Sequence, residues 1–285
     1  MATSPTVRQR ELGKRLRELR NQKSLTVEDV AAKLLCSATK ISRLETGARR
    51  PSLRDVRDLC ELYNVDVSTS AEFMELARAS REPVWWTQYE DLKLDPYLGL
   101  EQDAVAITSY TMYYIPALLQ TEEYIHEIIH AIAPKMNPEI HEQRVEARLR
   151  RQERRLKADN RPRYRVLLDE AVLHRRIGGP TVMIAQLEKV LEAERQGKVT
   201  VQVVPFNVGA HAAQDSNFIL FEFDESSNLS PVVFVEGLTG NQYLEKPADI
   251  ARYREAIEYL RDSALTPRDS LARIDEVRKA YVGAK

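Results

Sequence analysis

The feature that most constrains the fold is a set of apolar residues at fixed intervals between residues 27 and 44. Ala31 lies where two short helices would cross too closely for a larger side chain, and its neighbours are apolar at helical spacing. These apolar positions are Val27, Val30, Leu34, Cys36, Ile41 and Leu44. Because the small residue and the apolar residues share one register, the spacing predicts a helix-turn-helix unit.

Local sequence signals predict the ends of these helices. Thr26 followed by Asp29 approximates a capping box for the first helix, and Ser37 is a suitable N-cap for the second. Gly47 can adopt the left-handed conformation that ends a helix. Upstream, residues 8–21 predict a basic amphipathic helix, because apolar residues recur between arginines and lysines at helical spacing: Leu12, Leu16 and Leu19.

The net charge of −1 conceals an uneven distribution along the chain. Residues 1–57 contain 14 Lys or Arg against 6 Asp or Glu, a net charge of +8, whereas the remainder carries −9. Neutralising phosphates and releasing counterions supplies most non-specific DNA affinity. The basic N-terminal segment therefore predicts a polyanionic partner for the first module.

Composition bounds the class of protein. With 285 residues, of which 43% are hydrophobic and 30% charged, the chain is expected to fold into two domains. It has no run of roughly 18 uncharged apolar residues and no apolar segment typical of a signal peptide. We therefore expect no membrane association and a cytoplasmic protein, nucleoid-associated when bound to DNA. Cys36 and Cys60 fall on apolar helical positions, which predicts reduced thiols.

The segment from Thr26 to Pro51 resembles the XRE family of repressors, which is related to phage repressor and Cro. The resemblance is carried by Ile41-Ser42-Arg43-Leu44-Glu45-Thr46-Gly47, followed by Arg49-Arg50-Pro51. It implies a five-helix DNA-binding domain over residues 1–80, completed by helices at Leu53–Leu62 and roughly Ser70–Ala79. Leu35 departs from the pattern, since the family usually has glycine in this turn.

The resemblance assigns roles to residues of the unit. In this fold the third helix lies in the major groove with its N-terminal residues toward base edges. Ala38, Thr39 and Arg43 are predicted to read bases, Arg43 by a bidentate contact to guanine and Ala38 by contact with a thymine methyl group. A second set is predicted to bind phosphates: Thr26, Val27, Ser37, Lys40, Ser42, Arg49 and Arg50. The alternative for each arginine is a solvated surface charge.

Residues 81–103 lose helical periodicity around Pro83, Pro96 and Gly99, which predicts a connecting segment. Trp85 and Trp86 are too apolar for a bare linker. They are predicted to dock the domains together or to form the first part of the second core, with stacking on a ligand as a further alternative.

Residues 104–285 predict a second domain of helices plus a small β-sheet. Ala104–Ile115 is compatible with a strand or a buried helix. Strands are predicted at Arg163–Leu168, Val199–Val204, Phe218–Phe223 and Val232–Val235, and helices at Pro180–Arg195, Pro247–Ala264 and Pro267–Tyr281. The fold class is thus mainly α with an α+β second domain.

Helical patterns also dominate from Thr121 to Lys157, and the second helix there is rich in arginine. Glutamates are interspersed at spacings that allow ion pairs. This pattern is interpreted as a solvated helix face, with a second surface for DNA or a partner as the alternative. Its basic residues are Arg144, Arg148, Arg150, Arg151, Arg154, Arg155 and Lys157.

Several motifs of the second domain occur in a defined order between residues 104 and 275. They are Ile115–Tyr124, Arg144–Leu149 with Arg151-Gln152, Leu168–Ala171, Ala185–Leu187, Val203–Phe206 with Gly209–His211, and Val235-Glu236. Together they resemble the C-terminal domain of WhiJ-like actinobacterial regulators. The resemblance implies a regulator of development or secondary metabolism, often acting with a short companion protein encoded by the neighbouring gene.

One motif suggests a different function. His126-Glu127-Ile128-Ile129-His130 matches H-E-x-x-H, in which two histidines bind zinc and the glutamate activates water. A regulator fused to a zinc metallopeptidase is therefore the alternative, with Glu142, Glu146 or Glu153 as a downstream ligand. Against it, Ile129 stands where such peptidases carry a small residue.

The other histidines and carboxylates have no pattern that ties them to a nucleophile, although His174, His211, Asp169, Glu170, Asp215 and Glu236 could converge. The leading hypothesis is thus a non-enzymatic regulator without cofactor or metal. We expect it to bind double-stranded DNA as a homodimer, with a C-terminal domain that dimerises and binds a partner protein or a ligand.

Overall fold

The structure is a computed structural model that describes residues 4–89, 95–156, 161–227 and 229–283. The chain divides into two compact units at the bond between Asp103 and Ala104, with the segment 223–229 grouped with the first unit. None of the helices within these described ranges is long and apolar enough to span a membrane.

The N-terminal unit is helical, and the five predicted helices are present. A sixth helix forms at 95–103, where the sequence predicted an aperiodic connection. The helices are α1 (Pro5–Gln22), α2 (Val27–Lys33), α3 (Ala38–Glu45), α4 (Leu53–Leu62), α5 (Val67–Ala79) and α6 (Asp95–Asp103). The chain also makes one turn of 3-10 helix at Trp85–Gln88.

Helix α6 packs against α1, and Gly99, which contributed to the prediction of a connecting segment, lies at this contact. The Ser4 hydroxyl donates to the Gly99 carbonyl oxygen at 3.2 Å, and the Ser4 amide donates to the Asp103 carboxylate at 2.7 Å. A Cβ atom at Gly99 would lie 2.4 Å from the Thr6 Cβ atom. Gly99 is therefore required for the close approach of α6 to α1, and it does not mark a loop.

The predicted core of the helix-turn-helix unit is confirmed. Val30 and Ile41 are almost completely buried, and Ala31 lies between α2 and α3 with little exposure. The same core receives Leu12, Leu16, Val56, Leu59, Cys60 and Phe73 from the surrounding helices. Both cysteines are free thiols.

The predicted helix ends are also present. Thr26 and Asp29 form a reciprocal capping box, and the Ser37 side chain accepts a hydrogen bond from the Lys40 amide. Gly47 has φ +65° just after α3. Helix α5 begins at Val67, three residues before the predicted Ser70, because Asp66 caps it by accepting from the Thr69 amide.

The tryptophan pair belongs to the N-terminal unit, so the prediction that it begins the second core is wrong. Trp86 is buried, and the rings of Trp85 and Trp86 meet edge to face with centroids 5.5 Å apart. Trp85 makes a second edge contact with Tyr89 at 6.2 Å.

The C-terminal unit contains a mixed sheet, larger than predicted, with six strands among its described residues. The order is β3-β2-β1-β4-β5-β6, in which β1, β2 and β3 run parallel and the others antiparallel. The strands are β1 (Ala106–Thr111), β2 (Arg163–Asp169), β3 (Thr200–Val204), β4 (Phe218–Glu222), β5 (Val232–Gly237) and β6 (Gly240–Leu244).

Hydrophobic periodicity could not assign two of the strands, β1 and β6. The open alternative at Ala104–Ile115 is resolved as β1, a central strand whose six residues are all buried. Such strands lack alternation because both faces are covered. Strand β6 escaped detection because it is an exposed edge strand that begins Gly-Asn-Gln and has little apolar content.

The helices of this unit flank the sheet. They are α7 (Glu122–Ile132), α8 (Pro138–Leu156), α9 (Ala171–His174), α10 (Gly179–Arg195), α11 (Pro247–Ser263) and α12 (Pro267–Gly283). Helix α12 packs against α10 and β3. Ile257 and Leu260 of α11 join an apolar core with Tyr110, Leu167, Phe218, Leu220 and Val233 of the sheet.

The arginine-rich helix α8 is not a solvated face along its length. Arg151 and Arg155 are buried, and Arg155 Nη2 donates to the Ala104 carbonyl oxygen at 2.8 Å. Arg148 Nη1 donates to Gln120 Oε1 at 2.9 Å. Arg155 thus holds the backbone that precedes β1 and Arg148 holds a side chain that precedes α7, which corrects the solvated-face interpretation for the buried and bonded arginines. Lys157 lies outside the described residues.

Leu35, where the related family has glycine, occupies the turn between α2 and α3 in a left-handed conformation. Its φ is +48° and its side chain is 94% exposed, so it suffers strain without gaining burial. A left-handed residue with a side chain costs about 1 to 2 kcal/mol.

We expect Leu35→Gly to raise the free energy of unfolding by about 0.5 to 1 kcal/mol, since part of the relief is offset by unfolded-state entropy. Urea denaturation measures the change. Leu34→Gly is the matched control and should be destabilising, because Leu34 has φ −96° and packs against the core. A Leu35→Gly variant no more stable than the parent would contradict the strain argument.

Candidate nucleic-acid interface

Helix α3 presents Thr39 and Arg43, two of the three predicted base-reading residues, on its exposed side, whereas Ala38 packs partly against the core. Ile41 and Leu44 point into the core, whereas Thr39, Ser42 and Arg43 are exposed and Ala38 is half-buried. Thr39 and Arg43 are four residues apart, so helical geometry stacks them on one face. The capped N-terminus at Ser37 fixes where this face begins.

The loop after α3 carries the two exposed arginines that were predicted to bind phosphates. The Arg49 amide donates to the Arg43 carbonyl oxygen at 2.9 Å, and this bond folds the loop back onto α3. Gln9 of α1 donates to the Gly47 carbonyl oxygen at 2.7 Å. Arg49 and Arg50 are therefore presented beside the end of α3 by a fixed turn.

Lys40 is placed differently from the other predicted phosphate ligands. Its Nζ atom donates to Oδ1 of Asp55 in α4, and its side chain is mostly buried. Burial opposes ionisation of Asp55, but hydrogen bonds from Lys40 and Ser52 leave its pKa lower than usual. The Lys40 charge thus serves an ion pair between α3 and α4 in this structure.

The donors at the N-terminus of α2 already bind a side chain of the same helix. Asp29 Oδ2 accepts from both the Thr26 amide, at 2.8 Å, and the Thr26 hydroxyl, at 2.7 Å. These hydrogen bonds lower the pKa of Asp29. Its carboxylate therefore stands where Thr26 was predicted to offer donors to a phosphate, and Val27 beside it is half-buried.

A buried ion pair supports α3 from below, and the sequence analysis missed it. Arg20 of α1 makes a bidentate contact with Glu45, Nε to Oε1 at 2.7 Å and Nη2 to Oε2 at 2.9 Å, and both residues are buried. Arg20 Nη1 donates to the Leu25 carbonyl oxygen at 2.8 Å. The hydrogen bond with Glu45 raises the pKa of Arg20. The available signal was an acidic residue four positions after Ile41, on the inward side of α3.

Backbone contact between α1 and α3 is equally close. A Cβ atom at Gly13 would lie 2.5 Å from the Leu44 carbonyl oxygen and 2.7 Å from the Glu45 carbonyl oxygen. Only glycine leaves room for α1 at this crossing. Helix α3 is therefore held by a buried ion pair, an α4 contact and a backbone crossing before it meets any partner.

The histidines of the H-E-x-x-H motif do not form a shared pair in the structure. His126 is half-buried and its Nδ1 atom lies 2.9 Å from Nε2 of His141, whereas His130 is exposed. Glu127 lies against the turn before α10, where a Cβ atom at Gly178 would be 2.8 Å from its Cγ atom. The motif residues thus point to different surroundings.

Some of the remaining histidines and carboxylates do converge. A cavity of about 470 Å³ opens at the carboxyl ends of the parallel strands β2 and β3, lined by Asp169, His211 and Gln214. The Tyr110 hydroxyl lies 3.2 Å from His211 Nε2. Burial and the Asp169 charge raise the pKa of Tyr110.

Three of the others make contacts elsewhere in the C-terminal unit, and Asp215 is exposed. Glu170 is buried, pairs with Arg273 and accepts from the Phe206 amide at 2.8 Å. Glu236 accepts from the Tyr114 hydroxyl at 2.7 Å. His174 stacks on Phe206 with ring centroids 5.8 Å apart.

The capped, outward-facing α3 within the five-helix arrangement of α1 to α5 defines the N-terminal unit as a helix-turn-helix DNA-binding domain of XRE type. Residues 11–73 match the model of a family described as a helix-turn-helix domain. Residues 94–276 match a second model, described as a domain of unknown function, DUF5753. The chain belongs to the DUF5753 family, since that match covers more than half of its length.

A curated relative supports the class of the first domain. The HTH-type transcriptional regulator DdrOP3 of Deinococcus deserti is 32% identical over 90 residues, which is 32% of this chain and 70% of that protein. No solved structure matches the chain significantly.

Proposed function

We propose that the chain is a sequence-specific transcriptional regulator that reads DNA with α3. The observation that carries this proposal is the exposed row of Thr39, Ser42 and Arg43 on a helix whose opposite side is fixed by core contacts. A rigid helix with short polar and arginine side chains at its outer face suits major-groove readout. The named function of the Deinococcus relative supports the same class.

Within this proposal Ala38, Thr39 and Arg43 read bases, while Ser37, Ser42, Arg49 and Arg50 bind phosphates. Thr26 and Val27 are proposed to bind a phosphate with their backbone amides at the start of α2. The Asp29 carboxylate, which accepts from the Thr26 amide, would have to move away for this phosphate to bind. Lys40 can bind a phosphate only after its ion pair with Asp55 breaks. We therefore expect Lys40→Ala to reduce DNA affinity less than Arg49→Ala does.

Arg43→Ala is expected to cost about 1 to 3 kcal/mol of specific DNA binding and to relax the preference at one base pair. Arg49→Ala is the matched control from the same surface. It should weaken binding to specific and random DNA alike and reduce the salt dependence of affinity by about one phosphate contact.

Fluorescence anisotropy with operator and random duplexes, at several salt concentrations, measures both effects. Equal losses on operator and random DNA in the Arg43 variant would contradict its base-reading role. A purely solvated Arg43 would leave both affinities unchanged.

We also propose that the protein acts as a homodimer on a two-fold-related operator, since dimeric readers place their half-sites about one helical turn apart. The C-terminal unit then serves dimerisation and the binding of a partner protein or ligand. The cavity at Asp169 and His211 is the proposed ligand site, because ligands of parallel sheets bind beyond the carboxyl ends of the strands. No enzymatic activity is part of this proposal.

The WhiJ-like resemblance supports a role in development or secondary metabolism and a short companion protein as partner. Footprinting on the DNA upstream of the protein's own gene, with and without that companion, tests these points. We expect two protected half-sites whose occupancy changes with the companion. Protection of a single half-site by a monomer would overturn the dimer, and absence of protection would contradict binding of the protein upstream of its own gene.

A further inference from the structure

A cluster of three potential metal ligands lies between α7 and α8, in the C-terminal unit. His126 comes from α7, and His141 and Glu142 come from the N-terminal part of α8. His126 Nδ1 lies 2.9 Å from His141 Nε2 and 3.9 Å from Glu142 Oε1. The two imidazole rings are stacked, with centroids 5.1 Å apart and planes 18° apart.

The facing nitrogens are the informative detail. His126 Nδ1 and His141 Nε2 approach each other and Glu142 Oε1 lies near His126 Nδ1, so two ring nitrogens and a carboxylate oxygen converge on one region. All three ligand atoms lie within 4.8 Å of one another. Tetrahedral zinc with bonds of about 2.0 to 2.2 Å requires ligand atoms roughly 3.4 Å apart. His126 Nδ1 lies about 0.5 Å too close to His141 Nε2 and about 0.5 Å too far from Glu142 Oε1, so side-chain rotations within the 4.8 Å cluster would bring the atoms to tetrahedral spacing.

The helices that carry these residues are well supported. Ile125 and Ile129 of α7 pack with Val145 of α8 in a small apolar core, which fixes the helix pair directly beside the cluster. The His126 side chain is 36% exposed and the Glu142 side chain 69% exposed. An ion could thus enter from solvent and keep water as a fourth ligand.

We propose that His126, His141 and Glu142 bind a divalent transition-metal ion that links α7 to α8, and that zinc suits this set best. Imidazole and carboxylate ligands in a tetrahedral arrangement are typical of zinc. This site differs from the H-E-x-x-H pattern, because it uses His141 instead of His130 and excludes Glu127. The ion would stabilise the helix pair rather than activate water for peptide hydrolysis.

The test uses the full chain, freed of metal with a chelator and titrated with Zn²⁺ by calorimetry. We expect one Zn²⁺ per chain, a Co²⁺ derivative with the visible absorption of tetrahedral cobalt, and a higher melting temperature with Zn²⁺. His141→Ala should weaken Zn²⁺ binding by at least about 100-fold, since it removes a ligand rather than an outer contact.

His130→Ala is the matched control, because His130 lies one turn from His126 and is exposed. It should leave Zn²⁺ affinity unchanged. Glu142→Gln changes only an exposed side chain, so it keeps the test valid if a histidine variant fails to fold, and it should weaken Zn²⁺ binding by about tenfold. Absence of stoichiometric binding to the parent chain would overturn the proposal, as would loss of binding in His130→Ala but not in His141→Ala.

Discussion

Glu45→Ala is expected to destabilise the N-terminal unit by about 3 to 5 kcal/mol, because it leaves the buried Arg20 guanidinium without its counter-ion. The loss should extend to DNA binding, since Glu45 is the last residue of α3. Urea denaturation followed by tryptophan fluorescence measures the effect. Both tryptophans of the chain, Trp85 and Trp86, lie in the N-terminal unit, so their signal reports on that unit.

Two further variants separate the ion pair from a general effect of charge removal. Glu72→Ala removes an exposed partner of Arg15, 3.0 Å away, and should cost less than about 1 kcal/mol. The double variant Arg20→Met with Glu45→Leu should recover most of the lost stability, because apolar replacement of a buried pair is often neutral. A Glu45→Ala variant no weaker than Glu72→Ala would contradict the buried-pair interpretation.

Gly13→Ala is expected to destabilise the same unit by about 2 to 3 kcal/mol, although alanine is the better helix former. The new Cβ atom would lie 2.5 Å and 2.7 Å from two backbone carbonyl oxygens at the end of α3, and backbone cannot rotate away as a side chain can. Hydrogen exchange of the α1 and α3 amides in the full chain measures the loss.

Arg17→Ala serves as the control, since it changes an exposed position of the same helix and should stay within about 0.5 kcal/mol of the parent. Slower exchange in Gly13→Ala would mean that helix propensity outweighs the contact, and that α1 and α3 are farther apart than described. We expect protection in Arg17→Ala to be close to that of the parent, and protection in Gly13→Ala to be lower than in both.

Local signals predicted α2 and α3 well because the boundaries of these helices depend on neighbouring residues. Thr26, Ser37 and Gly47 act within one turn of the helix ends that they determine, and Ile41 and Leu44 reveal the inward side by spacing alone. The same reasoning failed for β6, an edge strand without a buried face.

Pairings across helices were beyond the reach of periodicity. The sequence assigned Lys40 to phosphate by its position in α3, but α4 brings Asp55 against it. It assigned the arginines of α8 to solvent, but the backbone at Ala104 and the Gln120 side chain accept hydrogen bonds from two of them. These partners depend on where helices cross, which composition and spacing do not encode.

For the helix-turn-helix itself, the sequence alone determined the caps, the inward side of α3 and the identity of its outward residues, because each follows from contacts within about four residues. Only the tertiary structure decided which charged residues remain available to a partner. Arg20 and Glu45 lie 25 residues apart in the chain, and His126 and His141 lie 15 apart. Their contacts form only when packed cores bring separate helices together. They therefore depend on the free energy of packing in the folded unit, which local sequence does not reveal.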